Sequence, residues 1–315
     1  MHAIIYRWPR YLISLFLIIT LNFALPRMMP GDPIANLIGE SAYVSEATIL
    51  EITETLGLNR PLHEQFILYL QSLARFDLGY SYLLHAEVSS IIIERMIWTL
   101  SFVGIATLIG VVLGVLLGAV AGMSRSKKSS QLWTYGSIAV SSTPPYFLGL
   151  IALSVFSFHL GLFPLKGAPA TGGILTWLHH LALPIAVLAL FIAARNCLIM
   201  RGSVIQELHE HYPLYAKAKG LTEGMVLRRH ILKNASLPVI TQIALDIGFI
   251  FSGALFIEIV FSMPGMGMLI YDAVLSRDYP ILEGCLLVIA IMVILANIAA
   301  DILYGIIDPR IRRGE

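Results

Sequence analysis

The chain has 315 residues, of which 57% are hydrophobic and 13% charged, with a formal net charge of +1. Soluble domains carry about 25% charged residues, so the composition excludes an ordinary soluble protein and points to an integral membrane protein. No basic stripe with interleaved aromatics marks a nucleic-acid surface, and nothing reads as low-complexity or as an internal repeat.

Residues 1–10 form a short basic start with Arg7 and Arg10, and residues 11–25 are a continuous apolar run. A bilayer needs about 20 apolar residues, so this run is short, but no small-x-small cleavage site follows it and it reads as a first span with its N-terminus inside. Residues 28–94 are the one large polar segment, dominated by acidic side chains such as Asp32, Glu40, Glu51, Glu64 and Asp77, which fits the extracytoplasmic side. Pro30, Gly31, Asp32 and Pro33 make a turn cluster. Residues 48–56 and 61–74 have helical spacing, with Leu62, Phe66, Tyr69 and Leu70 on one stripe of the second. The segment reads either as a plain folded lid or as a cap over a translocation path.

The second span is expected at residues 97–123, where Gly104, Gly110, Gly114, Gly118 and Gly122 recur near one face. Small residues four apart let helix backbones approach closely. A short basic loop with Arg125, Lys127 and Lys128 follows, then a third span at 132–160 interrupted by Pro144 and Pro145. That break frees carbonyls that protein or water must satisfy, and it is either a packing kink or part of a pathway wall. His179 and His180 stand at the mouth of the fourth span, which opens at Leu181. Adjacent histidines diverge on a helix, no third ligand stands nearby, and they read as interfacial rather than metal-binding. Cys197 and Cys285 lie in apolar runs and read as small buried side chains. The fifth span, 236–261, holds Asp246 as its one charge well inside the run and Glu258 near the far end. An ionisable group in a membrane is expensive and functional by default, although Asp246 also reads as a partner for a neighbouring subunit. Pro264, Gly265 and Gly267 suggest a tight re-entry, 281–307 is the sixth span, and 308–315 is a basic tail.

The most informative stretch lies between spans four and five, at about 201–235, where Lys217, Lys219, Arg228, Arg229 and Lys233 collect. Tyr212, Pro213, Leu214, Tyr215, Ala216, Lys217, Ala218 and Lys219 read as a short helix, with Pro213 in its first turn, Gly220 as a left-handed stop and Leu221 beyond. Leu214, Ala218 and Leu221 share the spacing of one small apolar face. Thr222 is placed to cap a second helix, which is expected to end near Pro238. The loop reads as a plug for a groove on a soluble partner or as a solvated basic linker.

Ala216-x-Ala218-x-Gly220 followed by Asn234-Ala235-x-x-Pro238 resembles the coupling loop of bacterial ABC importer permeases. The fuller wording resembles the dipeptide/oligopeptide/nickel subfamily, first-permease type, apart from His211, where that subfamily often has an acidic residue. Residues 25–33, 56–62, 76–81, 253–267 (with Met263 where Trp or a similar apolar residue is usual), 277–280 and 308–313 resemble the same subfamily. The resemblance implies an all-α type I ABC importer permease fold of six transmembrane helices. It divides the chain into an N-terminus and first span at 1–27, an extracytoplasmic helical segment at 28–94, a permease core at 95–307 and a tail at 308–315. It also implies a second homologous permease, two cytoplasmic ATP-binding subunits that hydrolyse ATP with Mg, and an extracytoplasmic substrate-binding protein. Residues 212–221 would dock into an ATPase, and Pro144, Pro145, Asp246 and Glu258 are candidates for the translocation path.

Charge supports the topology independently. With six spans and cytoplasmic termini, 15 of the 21 Lys and Arg residues fall inside and six outside, as the retention of cations on the cytoplasmic side requires. The chain has no G-x-x-x-x-G-K-[ST] phosphate loop, so no cofactor is expected on this chain and ATP must be hydrolysed elsewhere. The expected function is therefore that of a non-enzymatic inner-membrane permease for peptides, with nickel or a metal chelate as the alternative cargo. An ion-coupled secondary transporter would need several intramembrane ionisable groups, and a membrane enzyme a nucleophile–base pair or H-E-x-x-H motif. Asp246 alone is thin support for the first, which stands as the more distant alternative, and the scattered histidines supply no such motif for the second.

Overall fold

In the computed structural model the described residues are 2–28, 45, 50, 53–54, 59–124, 127–167, 173–248 and 255–307. The expected turn at 30–33, most of the expected helix at 48–56, the middle of the fifth span and the basic tail lie outside them. The described chain is almost entirely helical. In order it comprises α1 (His2–Met28), α2 (Leu62–Ala74), a hairpin of β1 (Tyr80–Ser81) and β2 (Ala86–Glu87), α3 (Val88–Met123), α4 (Lys127–Ser141) and α5 (Pro145–Ala152), which runs on as a π-helical stretch, Leu153–His159. There follow α6 (Ile174–Leu208), α7 (His211–Ala218), α8 (Glu223–Val226) with a π-helical continuation Leu227–Ile231, α9 (Leu232–Gly248), α10 (Leu255–Phe261), α11 (Met266–Ser276) and α12 (Tyr279–Ile307).

Three of these helices contain stretches long and apolar enough to cross a membrane: Val88–Met123, Ile174–Leu208 and Tyr279–Ala299. The number rises to five if each of two broken helix pairs is one span, and α1 adds a shorter apolar stretch, Pro9–Ala24. At 1.5 Å per residue a helix as long as α3 or α6 runs to about 50 Å, well beyond the ~30 Å hydrocarbon core, so each must project past it.

The chain forms two compact units. The first comprises residues 2–99 and 264–295. Its core joins Val88 and Ile92 at the start of α3 to Met266, Leu269 and Ala273 of α11 and to Ile281 and Cys285 of α12. The approach is close enough that a Cβ on Gly284 would lie 2.6 Å from Val88 Cγ1. Thr99 Oγ1 accepts a bond from the Met266 N–H, at 2.9 Å, which satisfies a donor at the free end of α11. Ser81 in the hairpin donates to Asp278 Oδ2, while Asp278 Oδ1 accepts the Ile281 N–H at 3.3 Å. Asp278 is therefore the N-cap of α12, with its third amide as partner. Burial pushes the Asp278 carboxyl above its ordinary range, and the bonds from Ser81 and Ile281 only partly oppose this.

The second unit comprises residues 100–263 and 296–315. Its axis is the contact of α3 with α6. Cβ atoms on Gly110, Gly114, Gly118 and Gly122 would fall 2.5–3.1 Å from the carbonyl oxygens of Ala189, Ala193, Cys197 and Arg201, one turn apart on α6. The opposite face of α3 leaves Leu108, Val112, Leu116 and Val120 exposed, as expected of a lipid-facing side. Gly104 has open space around it and is not part of the stripe.

One expectation needs correction. Pro238 does not end the helix before the fifth span; it lies inside α9, as Pro184 lies inside α6. A proline removes one backbone bond, but in membrane bundles neighbouring groups and local helical adjustments absorb the loss, and here a π-helical stretch precedes α9. Past the expected turn at Pro264 and Gly265, residues 266–276 form helix α11. The hairpin was not expected at all.

Candidate functional site

The loop between α6 and α9 is a compact, anchored helix. α6 stops at Leu208, Glu210 turns extended, and α7 starts with Pro213 in its first turn, where a missing N–H costs nothing. At its other end Gly220 takes φ +86°. The Gly220 N–H bonds the Lys217 carbonyl at 2.9 Å and the Leu221 N–H bonds the Ala216 carbonyl at 3.3 Å. These two bonds are the Schellman closure, which requires a left-handed residue after the helix.

The inner side of α7 is tied down. Pro213 and Ala216 are buried. Ala216 joins a cluster with Met200 and Val204 of α6, Ala119 of α3, and Val226, Ile231, Ala235 and Val239 after the loop. The Tyr212 hydroxyl donates to Glu207 Oε2, which also accepts from Asn234 Nδ2 at 3.4 Å. Burial, reinforced by the Glu207 carboxylate, pushes the Tyr212 phenol up to about 12. The outer side is apolar yet exposed: Leu214 is 68% and Tyr215 66% accessible, with Ala218 and Lys219 also open. Lys217 reaches Glu223 at 3.1 Å across the surface. Leu221 departs from the expected face: it packs into the Ala216 cluster instead, because the Schellman turn folds the residue after Gly220 back onto the helix. Thr222 precedes α8 with its carbonyl accepting the Met225 and Val226 amides, but its side chain makes no capping bond.

The residues singled out for a path fall in the same unit. The chain breaks at Pro144, and the segments Ser130–Ser141 and Pro145–His159 meet at 98°. The Thr143 hydroxyl takes up the freed Ala139 carbonyl at 2.8 Å, which is the satisfaction such a break needs. Beyond Pro145, Gly149 of α5 packs on Phe261, Val260 and Ile257 of α10. Glu258 lies on that helix and is wholly buried. Asp246 is elsewhere, on α9, where its Oδ1 accepts from Gln242 Nε2 at 2.8 Å and pairs with Arg195 Nη1 of α6 at 3.3 Å. Among the described residues Asp246 Oδ2 is buried without a hydrogen-bond partner, and the Arg195 side chain is 47% exposed. Arg195 is not among the residues that the sequence singles out. Its opposite sign to Asp246, in a second apolar run, was the available signal. His179 and His180 each meet a backbone carbonyl, Leu162 at 2.8 Å and Thr176 at 2.9 Å. Among the described residues no group of three His, Cys, Asp or Glu side chains is placed to hold a metal.

Residues 110–313 match the family described as binding-protein-dependent transport system inner membrane component, and residues 1–103 match its N-terminal part. A Brucella ovis protein whose name provisionally makes it a peptide permease is 38% identical over 310 residues, covering 96% of this chain and 97% of its own. The Escherichia coli K12 glutathione transport system permease protein GsiC is 33% identical over 300 residues, covering 95% of each. A crystal structure of an amino acid ABC transporter with histidines superposes with a TM-score of 0.52 at 17% identity, over 68% of this chain and 93% of that one. This last likeness concerns the fold alone.

Proposed function

Because the chain belongs to the family of binding-protein-dependent transport system inner membrane components, we propose that it forms the path by which di- and oligopeptides cross the cytoplasmic membrane. The chain is the permease component of an ABC importer and carries no catalytic role of its own. Cargo, partner stoichiometry and orientation belong to the proposal: peptide substrate, a second permease, two ATP-binding subunits that hydrolyse ATP with Mg, an extracytoplasmic binding protein, and both termini in the cytoplasm.

The carrying observation is the build of α7. A helix with Leu214 and Tyr215 exposed, on a base fixed by Ala216 and Tyr212, suits docking into the groove of a soluble subunit, where an apolar helix face supplies the anchors. Closure of the ATP-binding subunits would then displace α7. The same cluster that holds Ala216 includes residues of α3, α6 and α9, so the displacement would reach the helices carrying the glycine stripe, Arg195 and Asp246. No new chemistry is needed, only contacts that differ between two states. Relatives named for peptide and glutathione transport favour a peptide cargo over nickel or a metal chelate.

The test is reconstitution of the complete transporter in liposomes with its binding protein, followed by uptake of a labelled dipeptide and of a nickel chelate. ATP-dependent accumulation of the dipeptide is expected. Accumulation of nickel alone would overturn the assignment of cargo while leaving the permease role intact.

A further inference from the structure

We propose that residues 61–84 are seated in the bilayer interface beside α1, with Leu62, Ile67, Phe76, Tyr80 and Leu84 meeting lipid rather than water. The polarity of the surrounding segment suggests a lid in solution, but three observations place it lower.

The first is depth. The Phe66 ring of α2 lies 5.0 Å from that of Phe23 and 6.5 Å from that of Phe16. Both partners belong to the apolar stretch Pro9–Ala24 of α1. Phe16 precedes Ala24 by eight residues, about 12 Å along a helix at 1.5 Å per residue. A helix that touches Phe16 is therefore alongside the membrane-embedded part of α1, not above it.

The second is the polar seal at the end of that stretch. Arg27 Nε donates to Gln65 Oε1 at 3.1 Å, its Nη1 donates to the Phe23 carbonyl at 2.9 Å, and its guanidinium sits 3.8 Å over the Phe23 ring. Gln65 Nε2 in turn donates to the Arg60 carbonyl at 2.9 Å. The cation keeps an apolar stem against α1 and a satisfied head at its rim, the arrangement of a side chain snorkelling at an interface. It also pins the first turn of α2 to that level.

The third is exposure. Leu62 is 64%, Ile67 51%, Phe76 87%, Tyr80 40% and Leu84 49% accessible, in a stretch that also shows His63, Arg75 and Asp77 to the outside. Phe76 is held outward at φ +61°, with the next N–H, that of Asp77, bonded to the Ser72 carbonyl at 3.0 Å. Exposed aromatic and aliphatic residues mixed with polar ones are what the headgroup region selects, and aromatics concentrate there.

The experiment places single cysteines at Ile67→Cys and Phe76→Cys, with Lys166→Cys as a water-facing control, in the complete transporter in nanodiscs. The native Cys197 and Cys285 are buried, so a spin label reads the added site, and unsubstituted protein sets the background. Collision of the label with oxygen is expected to exceed collision with the water-soluble nickel chelate Ni-EDDA several-fold at 67 and 76, and the ratio to reverse at 166. Dominance of Ni-EDDA at 67 and 76 would overturn the proposal in favour of a solvated lid. Exclusion of both colliders, relieved when the binding protein or second permease is withheld, would overturn it in favour of a protein interface.

Discussion

Gly118 of α3 lies so close to Cys197 of α6 that a Cβ at position 118 would stand 2.5 Å from the Cys197 carbonyl oxygen and 2.8 Å from Met200 Cβ. The first obstacle is backbone, so relief requires the helices to separate. Overpacking of this kind costs about 1–3 kcal/mol. Gly118→Ala should lower the melting temperature of the detergent-purified protein, and Gly118→Leu should prevent its accumulation in the membrane. Gly136 is the matched control: it is helical, and a Cβ at that position would meet nothing within 4 Å. There alanine should be neutral or stabilising by up to about 1 kcal/mol, from helix propensity alone.

Gly220 predicts a different signature. A Cβ there meets nothing within 4 Å, but φ is +86°. The penalty is therefore conformational, about 1–2 kcal/mol for a residue with a Cβ and less for Asn, which visits this region more readily. Peptide uptake and binding of the ATP-hydrolysing subunits should fall in the order Gly, Asn, Ala, Val, while membrane insertion and melting of the transmembrane part stay near wild type. Equal uptake by Gly220→Val and wild type would remove the coupling role given to α7.

These two glycines also mark what sequence reading reaches. Gly220, Pro213 and the short helix between them are local features, so their pattern alone predicts the left-handed stop. The close-packing face of α3 is legible too, because Gly110, Gly114, Gly118 and Gly122 recur at one helical spacing. Its partner is not, since α6 meets it through carbonyl oxygens and the Cβ atoms of Ile192, Asn196, Met200 and Val204, residues of mixed size and polarity that share no pattern. The hairpin was missed for a related reason. Its strands have two residues each, and the Ser81 bond that fastens it leads to Asp278, far along the chain. Pro238 misled because a rule learned from helices in water gives way where other groups take up the lost bond.

Asp278 gives a pH-dependent prediction. Burial raises its proton affinity in the folded chain. The neutral form is thus favoured by folding, and the associated stability is present in full below the ordinary aspartate pKa of about 3.9. It is lost as pH rises from there through the raised folded value. Asp278→Asn keeps an oxygen for the Ile281 amide and a polar partner for Ser81, so it should retain the cap and flatten the dependence of melting temperature on pH across that window. Asp278→Ala removes the cap, about 1 kcal/mol, together with the titration, so its cost should be largest at low pH and shrink as pH rises through that window. A pH profile unchanged by Asp278→Asn would show that burial at this site does not govern its ionisation.

Arg195 and Asp246 separate a structural pair from a path residue. Removing the Arg195 charge leaves the largely buried Asp246 carboxylate uncompensated, so Arg195→Gln should lower the melting temperature more than Asp246→Asn, which leaves a half-exposed cation. The double variant leaves two neutral groups and no uncompensated charge, and stability should return towards wild type. Contacting residues couple by about 0.5–3 kcal/mol in such cycles. Uptake discriminates the roles. The half-exposed Arg195 side chain is open to a passing substrate, so the stable double variant is expected to transport more slowly than wild type. ATP hydrolysis stimulated by the binding protein should continue in it. Full recovery of uptake together with stability would reduce Asp246 to a bolt between α6 and α9.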